Sequence, residues 1–108
     1  MLGLETALAL TLTELVEPGV LALGDALAAL SWRPAAIAGV ADRHGRPVAV
    51  GEPANLCVFD PSLRWEVDPA RLASRARNTP YGGRKLTGRV RHTIVRGVPT
   101  VVDGEARA

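Results

Sequence analysis

The residues best suited to metal chemistry are the two histidines of the chain, His44 and His92. They stand far apart, and no His-x-His pair, Cys-x-x-Cys pair or local carboxylate cluster accompanies either of them. A catalytic zinc needs about three protein ligands that converge on one point. The sequence therefore predicts no metal site formed by this chain alone. We interpret His44 as an exposed turn residue and His92 as a structural residue of a strand.

Phosphate binding is suggested by the segment Gly82-Gly83-Arg84-Lys85, since glycine amides and a lysine can cradle a phosphate group. A phosphate-binding loop of this kind needs the pattern G-x-x-x-x-G-K-[ST] between a strand and a helix. Here Lys85 is followed by Leu86 and a predicted strand. A tight turn that directly precedes a β-hairpin is the better interpretation.

Nucleophilic catalysis also lacks the residues that it requires. Ser31, Ser62 and Ser74 have no neighbouring histidine with a carboxylate to orient it, and Cys57 lies in a predicted strand without an obvious base. A single cysteine cannot form an internal disulfide, and its apolar surroundings predict a buried, reduced thiol. We therefore assign no catalytic, substrate-binding or metal-binding residue to this chain.

Basic residues are concentrated in one part of the sequence, where Tyr81 is the only aromatic residue, while the net charge of the whole chain is only +2. Nucleic-acid binding would require a basic face together with stacking aromatic rings. We predict instead a solvated surface, or contacts with acidic groups on a part of the same protein that is missing from this chain, and no nucleic-acid partner. The cluster consists of Arg71, Arg75, Arg77, Arg84, Lys85, Arg89 and Arg91.

Length and composition favour a small soluble protein. The 108 residues allow one small domain at most. The apolar start, Met1 to Leu15, carries Glu5 and Glu14 and lacks both a basic first region and a cleavage site, so we expect no signal peptide. No segment reaches the roughly 20 uninterrupted apolar residues that a membrane span needs. We therefore expect no membrane association and a cytoplasmic location.

Helical periodicity is confined to the first forty residues. One helix is predicted from Leu4 to Val16, before Pro18 and Gly19. A second follows through alanine-rich sequence, and a third short turn, Pro34 to Ile37, is closed by Gly39. The residues predicted on the apolar faces of the first two helices are Leu4, Leu8, Leu12, Leu15, Val16, Leu23, Leu27 and Leu30.

Strand patterns and turn residues dominate beyond Arg46. Asp68 and Pro69 predict the cap and first residue of a small helix through Ala73. Gly97 is the predicted turn of a hairpin, which Asp103 to Glu105 should end. The fold class is thus α+β, with a helical part at 1–40 and a strand part at 41–108. The predicted strands are Pro47 to Val50, Asn55 to Phe59, Arg64 to Val67, Arg89 to Arg96 and Pro99 to Val102.

Four ordered blocks of the chain together resemble the C-terminal portion of dihydroorotases. The first block resembles a Gly-Leu-Glu-Thr segment, the second a Ser-x-x-Pro-Ala step, and the third a strand motif with Ala-Asp-Leu, in which Asn55 replaces the aspartate. The fourth combines Asn-Thr-Pro-Tyr with spaced glycines and β-branched residues. The blocks are Leu2–Leu8, Ser31–Ala35, Gly51–Leu56 with Phe59–Pro61, and Asn78–Tyr81 followed by Gly83, Leu86, Gly88, Val90, Thr93, Ile94 and Gly97.

The resemblance implies a zinc-dependent amidohydrolase that interconverts N-carbamoyl-L-aspartate and dihydroorotate in pyrimidine biosynthesis. A metal-bound hydroxide would attack the ring amide and a barrel aspartate would act as general base. The implied ligands, a His-x-His, further histidines and a carboxylate, cannot be placed on this chain. The family's substrate loop would lie just before Met1. Gly3 would then be nearest the chemistry and would let the chain turn into the helix.

The implied architecture is a (β/α)8 barrel with a small composite β-sandwich, of which 1–40 would be the helical end of the barrel and 41–108 a portion of the sandwich. The implied partner is a missing N-terminal barrel, with homo-oligomers or aspartate transcarbamoylase as further candidates. Alone, the chain is predicted to be inactive and to aggregate or self-associate. Two alternatives stay open: a non-catalytic assembly module, and a part of another cyclic amidase such as allantoinase or hydantoinase.

Overall fold

A computed structural model describes residues 2–107, in which a helical part is followed by a four-stranded antiparallel sheet. The α+β class is therefore confirmed. No helix among these residues is both long and apolar enough to span a bilayer. The helical elements are α1 (Ala7–Thr11), a π-helical segment that continues it (Leu12–Val16), α2 (Leu23–Leu30) and α3 (Trp32–Ile37).

The first helix begins later than predicted. Residues 4–6 form a turn in which the Thr6 amide donates to the Gly3 carbonyl at 3.4 Å. Leu4 consequently lies outside the helix with 96% of its surface exposed, so its predicted place on the apolar face is wrong. The buried positions are Ala9 and Leu12, because these face the sheet.

Helices α2 and α3 bury alanines rather than leucines. Ala26, Ala28 and Ala35 are the buried residues, whereas Leu23 and Leu30 of the predicted apolar face stay substantially exposed. The third helix begins at Trp32 and not at Pro34 as predicted. The proline is tolerated there because amides of the first helical turn need no intrahelical acceptor. Gly39 follows the helix with a φ of +75°, so its predicted role as the closing residue is confirmed.

The sheet is formed by β1 (Leu56–Glu66), β2 (Lys85–Val95), β3 (Val98–Val102) and β4 (Glu105–Ala106), in that spatial order. The predicted strands 55–59 and 64–67 are one strand. Its register against β2 shifts between Asp60 and Arg64. The Asp60 carboxylate accepts from the amides of Ser62 and Leu63 at 2.9 and 3.2 Å, which replaces ladder hydrogen bonds at this bulge.

The strand predicted at Pro47 to Val50 is wrong. The Glu52 amide donates to the Ala49 carbonyl in a turn, and Val48 and Val50 are 85% and 108% exposed. The long strand β2 begins four residues before the predicted Arg89. A short apolar run at 47–50, bounded by turn residues, predicted the strand, but no strand pairs with this segment among residues 2–107.

Two tight turns connect the last three strands. Arg96 and Gly97 have φ values of 49° and 79°, and Asp103 and Gly104 have 50° and 80°, as two-residue type I′ hairpin loops require. The predicted Gly97 turn is confirmed. Strand β3 ends at Val102, so the prediction that the hairpin ends at Asp103 is confirmed, and Glu105 begins a further strand, β4, by pairing with Val102.

The small helix after β1 spans Pro69–Arg71 and has 3₁₀ geometry. Its predicted cap is confirmed, because the Asp68 carboxylate accepts from the Ala70 amide at 3.0 Å. The helix ends before the predicted Leu72 and Ala73. Residues 72–79 have no regular secondary structure, and we call them loop 72–79.

The first helical segment packs on β2 around a core of Ala9, Val67 and Leu86. A Cβ atom on Gly88 would lie 2.5 Å from Leu12 Cδ1, so glycine leaves the space that this leucine occupies. Thr13 Oγ1 donates to the Thr87 carbonyl and accepts from the Thr87 amide. We call this contact, residues 6–14 against 65–67 and 84–88, the helix–sheet joint.

Candidate functional site

Two of the blocks that carry the resemblance meet in space beside the helix–sheet joint. The Leu2 amide donates to the Asn78 carbonyl at 3.1 Å, which brings the Gly-Leu-Glu-Thr segment against the Asn-Thr-Pro-Tyr segment. An open cleft of about 130 Å³ lies between them. Its walls come from both segments and from loop 72–79: Leu2, Gly3, Leu4, Glu5, Thr6, Leu72, Ser74 and Thr79.

Glu5 attaches this N-terminal segment to loop 72–79. Its Oε2 accepts from the Ala73 amide at 3.1 Å and its Oε1 accepts from the Ser74 amide at 3.2 Å. The sequence pattern did not single out this contact, because the partners lie 68 and 69 positions away. A carboxylate in a turn before a helix was the available signal, and it would have suggested a helix cap instead.

Thr6 is the buried polar residue of the segment, with 2% of its surface exposed. Its Oγ1 donates to the Gly3 carbonyl at 3.3 Å, and its own carbonyl accepts from the Leu10 amide. Gly3 begins the turn, as predicted, but its φ is not positive and a Cβ there would meet nothing within 4 Å. The turn therefore does not use the freedom of glycine to adopt a positive φ, and the proximity of Gly3 to the substrate loop stays a prediction.

The segment from Asn78 to Gly83 is a structured turn, so the interpretation of Gly82 and Gly83 as turn residues before a strand is confirmed. The Tyr81 amide donates to Thr79 Oγ1 at 3.2 Å, and the Arg84 amide donates to the Tyr81 carbonyl at 3.0 Å. Gly83 has a φ of +79°, and its amide donates to the Val67 carbonyl at 2.7 Å. The turn thus passes directly into β2.

The two histidines lie in separate parts of the structure. His44 is exposed in a bend, where its amide donates to the Val40 carbonyl. His92 lies half-buried in β2 opposite Val58, and its Nδ1 accepts from the Asp103 amide at 3.3 Å. Both structural interpretations are confirmed. No group of three His, Cys, Asp or Glu side chains among residues 2–107 is placed to hold a metal ion.

Cys57 is exposed, so the prediction of a buried thiol is wrong. The residue lies on β1, at the edge of the sheet, where neighbouring apolar residues do not form a covering layer. Partial burial of its side chain still raises the pKa of the thiol above its ordinary value.

Among the serines, Ser62 and Ser74 use their backbone amides to bind Asp60 and Glu5.

Much of the basic cluster is engaged within the chain. Arg84 forms an ion pair with Glu14, and Arg91 lies 3.5 Å from the Asp103 carboxylate. The Arg89 guanidinium lies 4.8 Å from the centre of the Trp65 ring. Arg77 donates to the carbonyls of loop 72–79. Arg77, Arg84 and Arg91 are exposed, so the prediction of a solvated surface is confirmed for them, and each also has an acceptor within the chain.

Comparison with known proteins places these features in a family. The chain is 52% identical to the dihydroorotase of Streptomyces coelicolor over 97% of its length, and 47% identical to that of Mycobacterium tuberculosis over its full length. These matches cover 24% and 25% of the two relatives. The chain thus spans about a quarter of the length of the curated relatives that it matches. No protein-family model matches it.

Solved structures with the same fold include hydantoinases. The L-hydantoinase (dihydropyrimidinase) of Arthrobacter aurescens superposes with a TM-score of 0.88 at 32% identity, covering 99% of this chain and 24% of that one. The D-hydantoinase of a Thermus species gives a TM-score of 0.85 at 29% identity, covering 96% and 22%. The resemblance inferred from the four blocks is therefore confirmed: over nearly its whole length this chain is similar to dihydroorotases, at up to 52% identity, and its fold is shared by about a quarter of a hydantoinase chain.

Proposed function

We propose that this chain contributes to a dihydroorotase that interconverts N-carbamoyl-L-aspartate and dihydroorotate in pyrimidine biosynthesis in the cytoplasm. The observation that carries the proposal is the 52% identity to a dihydroorotase over 97% of the chain. The hydantoinase structures support the broader class of cyclic amide hydrolases at lower identity. The activity belongs to the complete enzyme, because the chain corresponds to about a quarter of these relatives.

Zinc chemistry in this proposal comes from residues outside the described chain. Structural and catalytic zinc sites need three or four side-chain ligands at one point. Residues 2–107 bring no such group together, and their histidines lie on different elements. We therefore assign the zinc to the rest of the intact enzyme and derive no catalytic step through this chain.

The role that we propose for this chain is to shape and hold one side of the substrate site. Residues 1–40 would close a (β/α)8 barrel, and residues 41–108 would form part of a β-sandwich beside it. The substrate loop of the intact enzyme would precede Gly3, next to the cleft between the first and fourth blocks. Exposed apolar residues such as Ile37 and Val50 would face the barrel or a further copy of the enzyme. Aspartate transcarbamoylase is a further candidate partner.

The DNA upstream of the Met1 codon tests this proposal directly. An in-frame continuation that encodes Asp-His-x-Pro-His and a Pro-x-Gly loop would support a complete dihydroorotase. A stop codon with a separate ribosome-binding site would favour the alternative of a non-catalytic assembly module.

A chimeric enzyme tests the same proposal by activity. The segment of the Streptomyces coelicolor dihydroorotase that matches this chain is replaced by the full chain, and ring closure and opening are measured with both substrates. We expect activity within about tenfold of the parent, because half of the aligned residues are identical and conservative core changes are tolerated. A folded chimera with zinc bound but no turnover would contradict the proposal.

A control chimera receives the matching segment of the Arthrobacter aurescens L-hydantoinase, which shares the fold. We expect it to be less active than the chimera with this chain, since the blocks at Leu2–Leu8 and Asn78–Tyr81 favour dihydroorotase. Equal activity of the two chimeras would assign this chain to the cyclic amidases only. The isolated chain, assayed beside them, should show no turnover and no stoichiometric zinc.

A further inference from the structure

Loop 72–79 lacks regular secondary structure, but two charged side chains bind its backbone. An acidic side chain binds backbone amides, and a basic side chain binds backbone carbonyls. The Glu5 carboxylate accepts from the amides of Ala73 and Ser74. The Arg77 guanidinium donates to the carbonyls of Leu72, at 2.7 Å, and Ser74. Hydrogen bonds that involve a charged partner are stronger than neutral ones. The loop conformation at Leu72–Ser74 is therefore specified by two side chains, one of which comes from the N-terminal segment.

The N-terminal segment is attached to this loop at two points. Glu5 holds the beginning of the loop, and the Leu2 amide donates to the Asn78 carbonyl near its end. Between these points, the Gly3 carbonyl accepts from Thr6 in the turn that leads into α1. Two attachments on either side of Gly3 fix the direction of the chain where it passes the cleft.

A helix-capping role does not account for Glu5. No side-chain hydrogen bond caps α1 at Thr6, and both Glu5 oxygens are directed to amides of loop 72–79. Glu5 is itself exposed, so solvent weakens the contact's contribution to global stability. The contact is better suited to selecting one local conformation than to stabilising the whole fold.

We propose that Glu5 is a positioning residue for substrate binding, which acts by holding the Leu2–Thr6 turn against loop 72–79. This inference rests on the proposed function, in which the segment entering at Gly3 adjoins the substrate. Loss of the Glu5 contacts lets the turn and the chain before it move together. The binding geometry is then populated less often, so that more substrate is needed for the same occupancy.

The test uses the chimeric enzyme with Glu5→Ala and Glu5→Gln. Alanine removes both acceptors, and we expect KM for dihydroorotate to rise about threefold to tenfold with a smaller change in kcat, the range for one or two exposed charge-assisted hydrogen bonds. Glutamine keeps one acceptor oxygen and presents an NH₂ group to the other amide. Its KM should therefore lie between those of the parent chimera and Glu5→Ala.

The matched control is Glu14→Ala, which likewise removes one exposed carboxylate, here from the π-helical segment that continues α1. Glu14 pairs with Arg84 across the helix–sheet joint and does not line the cleft. We expect it to lower the melting temperature without raising KM. A Glu5→Ala variant that loses melting temperature but keeps the parent KM would behave like the control and would overturn the inference.

Hydrogen exchange separates this inference from the proposed function. If the zinc-loaded chimera has no turnover, the proposed function fails. The rates of amide hydrogen exchange then still test whether Glu5 holds the N-terminal turn against loop 72–79. If Glu5 attaches the N-terminal segment to the loop, amide exchange should be faster in Glu5→Ala throughout residues 2–6 and 72–79. The same amides should exchange at the parent rate in Glu14→Ala. Faster exchange confined to Ala73 and Ser74 overturns the inference, because those two amides lose their acceptor in any case.

Discussion

The helix–sheet joint and the outer segment, which we define as residues 18–55, are both rich in apolar side chains but differ in burial. In the joint, Leu12 and Leu86 keep only 4% and 1% of their surface exposed. In the outer segment, Ile37, Val48 and Val50 are 88%, 85% and 108% exposed. Apolar side chains are buried only where a second layer lies opposite them.

The joint has such a layer because the shapes of its two sides match. Gly88 in β2 has a φ of +100° and no side chain, and Leu12 fills the space above it. The neighbouring Trp65 donates from Nε1 to the Gly88 carbonyl at 2.7 Å. In the outer segment, α2 and α3 contact each other, but their buried residues are small alanines and several of their larger apolar side chains stay exposed. The outer segment therefore behaves as a surface that a partner could cover.

The largest expected effect is self-association of the isolated chain through the outer segment. Exposed apolar groups that have no covering layer favour association because burial removes them from water. Size-exclusion chromatography with light scattering should give a mass above 11.4 kDa or extensive precipitation. Replacing both Ile37 and Val50 by lysine should shift the sample toward the monomer.

Leu4→Lys is the control for this effect. Leu4 is 96% exposed, like the residues of the outer segment, but belongs to the anchored N-terminal turn. We expect it to leave the association unchanged. A monomeric wild-type chain that melts cooperatively would contradict the prediction, and equal improvement by Leu4→Lys would remove the distinction between the two regions.

A smaller effect is expected from adding one methyl group inside the joint. Gly88→Ala places a Cβ 2.5 Å from Leu12 Cδ1 at a φ of +100°, so steric overlap adds to backbone strain. We expect a loss of about 2–4 kcal/mol in the free energy of unfolding, the sum of one strained backbone position and one overpacked contact. Thermal melting of the chimeric enzyme should show this as a clear fall in melting temperature.

Gly97→Ala is the matched control, because Gly97 also has a positive φ, +79°, but a Cβ there meets nothing within 4 Å. Only the strain of a positive φ on alanine remains, and we expect the free energy of unfolding to fall by about 1 kcal/mol. If the two variants lost equal stability, close packing of Leu12 on Gly88 would not be what distinguishes the joint.

Local signals predicted the strand part of the fold well where the turn chemistry was specific. Gly97 and the Asp68–Pro69 cap act on their immediate neighbours, and both occur as predicted. Two strands were predicted on either side of Asp60, but they form one strand with a bulge. The Asp60 side chain accepts hydrogen bonds from two backbone amides there, so the strand continues without its regular ladder hydrogen bonds. At 47–50, a short apolar run was insufficient, because a strand also needs a partner.

Long-range contacts were the part that sequence patterns could not supply. Glu5 and Asn78 each belonged to a block that carried the resemblance, but nothing local indicated that Glu5 binds loop 72–79 or that Leu2 meets Asn78. Helical spacing placed Leu4 and Leu12 on one face and did not distinguish the exposed residue from the buried one. Which apolar face is covered depends on tertiary packing, and periodicity alone does not encode it.

The smallest expected effect is the pH dependence of the Arg46–Glu52 ion pair, which orders part of the outer segment. The Arg46 Nε and Nη2 atoms donate to the two Glu52 oxygens at 2.7 and 2.8 Å. This hydrogen bonding, followed by the positive charge of Arg46, lowers the pKa of Glu52 below its ordinary value. We expect Arg46→Gln to return that pKa toward its ordinary value, measured by NMR titration of the Glu52 side chain in the chimeric enzyme.

The sign of the effect follows from the lowered pKa. A carboxyl group whose pKa is lower in the folded protein contributes stability above its unfolded pKa, and the contribution is lost as pH falls through the folded value. Hydrogen exchange in residues 46–55 should therefore be slower in the wild type than in Arg46→Gln at neutral pH, and equal in both once Glu52 is protonated. The control is Arg43→Gln, whose pair with Asp42 is 3.9 Å long. A difference that persisted after protonation of Glu52 would mean that packing orders the outer segment as it orders the joint.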